Sequence, residues 1–153
     1  MARKSLRDIE RIWTNVEGIK KLSDRAIPLG PFGIGLDGIL TWIPGAGGLY
    51  SVVVALWLMT QAVRAKAAPA TLARMAFYLG IDTVASEATI VGSAIDFFWQ
   101  GHLMAAKALQ RDIETTHWVE TSAREAHESG AHAQHLETVR RDPALRRIVY
   151  LHD

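Results

Sequence analysis

The chain has 153 residues, 17 Lys and Arg against 16 Asp and Glu, six His and no Cys. That length suits one domain, or a compact unit with a tail, and allows a real core. The near-balance of charge removes the global electrostatic case for nucleic acid binding, and the missing cysteines exclude disulfides, thiolate chemistry and Cys-based metal sites.

Met1 to Lys21 is charged and amphipathic and lacks the apolar stretch of a cleavable signal peptide. From Ser5 to Leu22 the apolar residues Leu6, Ile9, Ile12/Trp13, Val16 and Ile19 recur at spacings of three and four, which predicts a helix. Ser5 is its candidate cap, with Asp8 placed to favour the positive helix end. Pro28 disfavours a helical residue before it, so this helix should stop near Ile27. After a Pro- and Gly-rich connector, a short helix is expected from about Gly35 to Ile43, ended by Pro44-Gly45-Ala46-Gly47-Gly48.

Leu49 to Lys66 is expected to be the most apolar helix, and no charged residue occurs from Gly38 to Val63. Pro69 suits the first position of the next helix, which runs to about Ser86. After a weaker break at Thr89 to Gly92, a long helix is expected from near Ser93 through Lys107 and Arg111 to about Ser129-Gly130. Asp142-Pro143 would then cap a short final helix, Ala144 to Leu151. No run alternates with period two, so no strands are expected.

Two stretches repeat. Gly35-Leu36-Asp37 recurs as Gly80-Ile81-Asp82, and Met59 matches Met104, at a constant offset of 45 residues. The fold class expected is therefore all-α: a helical bundle of two tandem helix-loop-helix repeats, about 35–79 and 80–109, with a long polar C-terminal helix. Three regions follow: an amphipathic N-terminal helix (1–27), an apolar repeat domain (28–109) and a polar helical tail (110–153).

Asp37 and Asp82, with Pro44, Gly45, Gly47 and Gly92, are assigned as loop and cap residues, the carboxylates accepting from backbone amides that glycine-rich turns leave unpaired. The alternative is a proton or cation site across the repeat axis. In the second repeat Asp96, Gln100 and His102 replace Ser51, Ala55 and Trp57, marking buried polar positions. The aromatics Trp42, Tyr50, Trp57, Phe97, Phe98 and Trp99 suit an interfacial belt, a partner face or a dense core.

Several motifs fail in context. Gly33-Ile34-Gly35-Leu36-Asp37-Gly38 fits GxGxxG, but no strand precedes it, and neither glycine-rich stretch carries the Lys-Ser/Thr of a phosphate-binding loop. Glu128, His132 and His135 would share a helix face at spacings of four and three, a weak metal candidate in which Gly130 weakens the helix. A solvated His-rich face is the competing reading. No Ser, His and Asp set has motif context for nucleophilic catalysis. No enzyme activity and no cofactor are expected.

At Gly35-Leu36-Asp37 followed by Ile43-Pro44-Gly45-Ala46-Gly47, with Ala73-Arg74-Met75 and then Gly92, Asp96 and Trp99, the chain resembles the DUF4112 family of uncharacterised proteins. The resemblance runs from about Leu22 to Leu109. It implies membrane association and adds no activity. The chain departs from the pattern at Gly48 and Ser93, where the family tends to have Asp, at Ala88-Thr89, and at Gln100, His102 and Ala105. The segment from Gly48 to Val63 lies between the lengths of a buried core helix and of a span, and Asp96 argues against a simple lipid-exposed second span. The function expected is a small membrane-associated structural or accessory subunit, at a bacterial cytoplasmic membrane with its tail in the cytoplasm. Lipids and protein partners are its expected contacts. The alternatives are a soluble interaction module, which could be homodimeric, and an ion or proton transport component.

Overall fold

The structure is a computed structural model and describes residues 4–26, 46–88 and 94–153. These form six helices and two short strands: α1 (Leu6–Ala26), α2 (Ala46–Arg64), α3 (Pro69–Ala88), α4 (Ala94–Glu114), β1 (Thr116–Val119), α5 (Ala123–Glu128), α6 (Ala131–Arg141) and β2 (Arg147–Tyr150). The expected short helix at 35–43 lies outside the described residues.

The beginning of α1 follows its sequence. Ser5 donates through its backbone N–H (2.9 Å) and its hydroxyl (3.1 Å) to Asp8 Oδ2, and the Asp8 N–H returns a bond to Ser5 O. Ile9, Ile12 and Val16 are buried at the predicted spacing. One large, fully buried side chain comes from each of four helices: Val16 of α1, Leu58 of α2, Met75 of α3 and Leu109 of α4. Truncating Leu58, Met75 or Leu109 to Ala would cost about 2–5 kcal/mol in lost burial and cavity. The helices α1, α2 and α3 all pack on α4. A closed polar triangle pins α1 to α4: Lys20 Nζ donates to Glu17 and to Gln110, and Gln110 Nε2 donates to Glu17, each at 2.8 Å.

The turn from α2 to α3 is tight. The Lys66 N–H bonds Val63 O and the Ala67 N–H bonds Ala62 O, with Lys66 in the left-handed region at φ 48. This is the bonding pattern of a Schellman C-cap, in which glycine is usual. Pro69 opens α3 as predicted, its missing N–H costing nothing at that position.

Beyond Glu114 the structure corrects the expectation. The polar region is not one long helix; α4 stops at Glu114, and Thr116-His117-Trp118-Val119 is a strand. Beta-branched and aromatic residues favour this, and the threonine hydroxyls compete for the last helical carbonyls. Thr115 Oγ1 donates to Arg111 O (2.8 Å) and Thr116 Oγ1 to Asp112 O (2.6 Å).

The expected helix at 144–151 is instead the strand Arg147-Ile148-Val149-Tyr150, paired in parallel with β1 in the register Thr116↔Arg147 to Val119↔Tyr150. Asp142 ends α6 rather than starting a helix, its Oδ1 accepting from the Ala144 N–H at 2.9 Å. The fold is thus mostly helical with a small two-stranded parallel sheet, not purely α. Leu151, just after β2, is buried in the same core as Val16 and Leu109. A second, smaller core gathers Val119, Ala126 and Tyr150.

Candidate functional site

Three features outside the core have the chemistry to do something: an exposed apolar helix face, a charged junction and a histidine cluster.

The exposed face belongs to α2. One side of this helix buries Leu58, Gln61 and Ala62, yet the other side presents Val52, Val53, Leu56 and Val63, the last three each more than half exposed. Thr60 lies on this same exposed side, and its hydroxyl is spent on Leu56 O at 2.7 Å. The helix is therefore apolar on nearly all sides while buried on only one. Helices apolar all round normally find apolar surroundings all round. Phe77 on α3 is 63% exposed, and Met104 on α4 is also exposed.

The charged junction is built on Arg147 of β2. Its guanidinium donates to Asp112 Oδ2 (2.6 Å), Thr116 Oγ1 (2.9 Å) and, through both terminal nitrogens, Lys66 O (3.1 Å each). It also lies 5.9 Å from the centre of the Trp118 ring. Asp112 in turn accepts from the Ala68 N–H (3.2 Å) and Thr71 Oγ1 (3.0 Å), serving from α4 as the N-terminal cap that the α3 sequence lacks. Lys66 Nζ reaches Tyr150 O at 2.8 Å and Asp153 O at 3.1 Å. The unusual φ of Lys66 is thereby offset: its carbonyl and its side chain both bind the C-terminal strand region. The Asp112 side chain is 9% exposed and that of Arg147 26%. Each charge here has a partner, and together these bonds tie β2 to α4 and to the turn after α2.

The histidine cluster sits on the unit β1-α5-α6-β2. His117 Nε2 and His135 Nδ1 are 3.0 Å apart, and His132 Nδ1 lies 2.7 Å from the Tyr150 hydroxyl. The rings of His127 and His132 stack with centroids 3.9 Å apart. Burial first, and then His135, pushes the His117 pKa below the usual histidine value.

Ser122 caps α5 by accepting from the Glu125 N–H, while Gly130 at φ 76 separates α5 from α6. This break corrects the expected shared face of Glu128, His132 and His135. Glu128 ends α5 and pairs with Arg124, His132 meets Tyr150, and His135 meets His117. Among the described residues no group of three or more His, Asp or Glu side chains is placed to hold a metal ion.

An open groove of about 560 Å³ also runs between α1 and the end of α4, lined by Ile9, Trp13, Ile113 and Trp118 with Glu10 and Glu114. Trp13 Nε1 donates to Glu114 at 2.9 Å.

Of the other positions singled out in the sequence, Asp37, Trp42, Pro44, Gly45 and Gly92 lie outside the described residues. Gly47 and Tyr50 fall in the first turns of α2, Asp82 within α3, and Asp96, Phe97, Phe98, Trp99 and Gln100 in the N-terminal half of α4. Trp57 is half-buried against the main core, and His102 is 3% exposed. Asp112 and His117 carry no motif that marks them in the sequence. The Ser122-x-x-Glu125 spacing, a capping-box signature, was the one local signal that α5 begins afresh.

Among the described residues no helix is long and apolar enough to cross a membrane. A family model described as "Domain of unknown function (DUF4112)" matches residues 12–113, more than half of the chain. No curated protein and no solved structure matches it.

Proposed function

We propose a function for a chain that belongs to the DUF4112 family: a non-enzymatic, membrane-associated helical protein that serves as a structural or accessory subunit. In this reading it rests against the bilayer surface through the outer face of α2, and its polar C-terminal part meets protein partners on the cytoplasmic side of a bacterial membrane. The observation that supports the reading is the exposure of Val53 (57%), Leu56 (63%) and Val63 (61%) on a helix that has no charged residue before Arg64. Fully burying such a side chain contributes about 1.5–3 kcal/mol, so covering the exposed parts of these three gives about 4 kcal/mol before immobilisation costs. That is comparable to one short acyl chain, a reversible anchor that becomes firm only with a second contact.

The test is flotation with phosphatidylglycerol-containing vesicles. The wild-type chain floats with them, and the double variant Leu56→Ser, Val63→Ser loses most of that binding with an unchanged circular dichroism spectrum, since exposed sites shift stability by only about 0.5 kcal/mol each. A wild-type chain that stays monomeric in the high-speed supernatant in the presence of vesicles sinks the proposal.

One observation favours a second reading. Val53, Leu56, Thr60 and Val63 follow the 3-4-3 spacing of a helix–helix seam. A soluble homodimer could therefore bury the same face. Light scattering after size exclusion without lipid distinguishes it: a dimer abolished by the same double variant replaces the membrane reading.

A further inference from the structure

The helix α6 is fastened unusually. None of its residues is buried, and it adds no side chain to the small core of Val119, Ala126 and Tyr150. Its half-buried positions are Ala131, His132, His135 and Val139. Of these, His135 bonds His117 on β1 and His132 bonds Tyr150 on β2. Hydrogen bonds from two histidines thus do the docking that apolar burial does for α1 to α4. We infer that α6 is an acid-released element, held on the sheet while its histidines are neutral and detached when they gain protons, with the main core left intact.

The chemistry lies in the two histidine pairs. A neutral imidazole has one N–H donor and one lone-pair acceptor, so one ring of the His117–His135 pair donates to the other. One added proton still leaves a donor facing an acceptor or water. A second places two N–H groups and two positive charges face to face with ring centroids 5.2 Å apart. The stacked His127 and His132 rings meet the same repulsion at 3.9 Å. The Tyr150 hydroxyl can donate to a neutral His132 or accept from a charged one, so this bond survives protonation and release falls to the His117–His135 and His127–His132 pairs.

The carboxylates near these rings are engaged elsewhere. Glu128 pairs with Arg124, Glu137 with Arg141, and Glu125 accepts from Thr121. Asp153 accepts from the Ala123 N–H, and the Arg147 guanidinium is turned toward Asp112. None of these carboxylates bonds one of the four rings; Asp153 acts on the neighbouring Tyr150 through its charge but makes no bond to His132.

The sign follows from His117. Its pKa is lowered in the folded chain by burial and by His135, so the folded form binds fewer protons than the unfolded form. Docking is then fully stabilised above about pH 6.5 and is lost as the pH falls toward and through the lowered value. Gly130, with its left-handed φ, and the Asp142-Pro143 turn bracket the segment that moves.

Hydrogen exchange read by mass spectrometry at pH 7.5 and 5.0, normalised for intrinsic rates, tests this on the whole chain. Protection of 131–141 should fall severalfold at pH 5.0. Segments containing Val16, Leu58, Met75 and Leu109 should keep theirs. In His135→Gln, which keeps a hydrogen-bonding amide but cannot titrate, the pH response of 131–141 should shrink severalfold. His127→Gln, at an exposed site, should also reduce it and serves if the first variant folds poorly. Equal protection at both pH values, loss of α6 in step with the main core, or a wild-type response in both variants overturns the inference.

Discussion

Replacing Asp112 with Ala tests whether the Arg147 junction holds the C-terminal strand to the helices. The substitution removes the 2.6 Å ion pair with Arg147 and the bonds from Thr71 Oγ1 and the Ala68 N–H. Deleting one partner of a buried pair costs about 3–5 kcal/mol, mostly because the other charge is stranded. Arg147 is 26% exposed and keeps Lys66 O and Thr116 Oγ1, which brings its share below that range, to about 2–3 kcal/mol. Loss of the substitute cap on α3 adds about 1 kcal/mol. A total of about 3–4 kcal/mol lowers Tm by roughly 10 °C for a domain of this size and leaves the chain folded at 25 °C. Asp112→Asn, which keeps the shape and an acceptor, should lose about half as much. Urea unfolding followed by circular dichroism gives these values. A double-mutant cycle with Arg147→Met isolates the pair, with an expected coupling above about 1 kcal/mol. A loss under 1 kcal/mol for Asp112→Ala, together with a coupling near zero, would refute the view that this pair fastens strand to helix.

Gly130→Ala forces a Cβ into the left-handed region at φ 76, where the surrounding space is open, so the cost is backbone strain of about 1–2 kcal/mol. It should appear as reduced exchange protection in α5 and α6, and Gly130→Asn should be milder; equal protection in all three proteins would contradict this. Ser5→Ala removes the hydroxyl bond to Asp8, whose pKa is lowered first by the Ser5 backbone bond and then by that hydroxyl. Because the folded pKa lies below the ordinary 3.8, the bond stabilises the fold above that pH and its contribution is lost as the pH falls through the folded value. In the variant the Asp8 carboxyl should titrate at a higher pH by NMR, and an unmoved titration would show that the hydroxyl contributes nothing.

What could be read from the sequence was local. Ile9, Ile12 and Val16 announce α1 by spacing alone, Ser5 and Asp8 announce its start, and Pro69 announces α3, because each signal lies within one or two turns of the structure it specifies. The sheet left no such signal. Its strands have four residues, their burial does not alternate, and Thr116 pairs with Arg147, which stands 31 positions away. Ile148-Val149-Tyr150 is strand-prone only in company with a partner that the sequence does not indicate. The candidate sites divide in the same way. The apolar run of α2 is plain in the sequence, although the sequence does not say which of its faces stays uncovered. The His-rich stretch is equally plain, yet its partners His117 and Tyr150 arrive on strands from either side. Asp112 and Arg147 look like ordinary surface charges until β2 brings them together.

The bonds of α1 to distant sequence set a schedule for folding during synthesis. The Leu6 N–H is met by Glu120, and Lys4 O by His152 Nε2, a partner 148 positions later. At about 5–20 residues per second of translation, Lys4 waits roughly 7–30 s for its partner to be made. For that interval the apolar stripe of Ile9, Ile12 and Val16 has neither the α4 surface nor Leu151 to cover it for much of the time. Helix α1 is thus made well before the surfaces that enclose it, and its apolar stripe stays uncovered on the nascent chain until α4 follows.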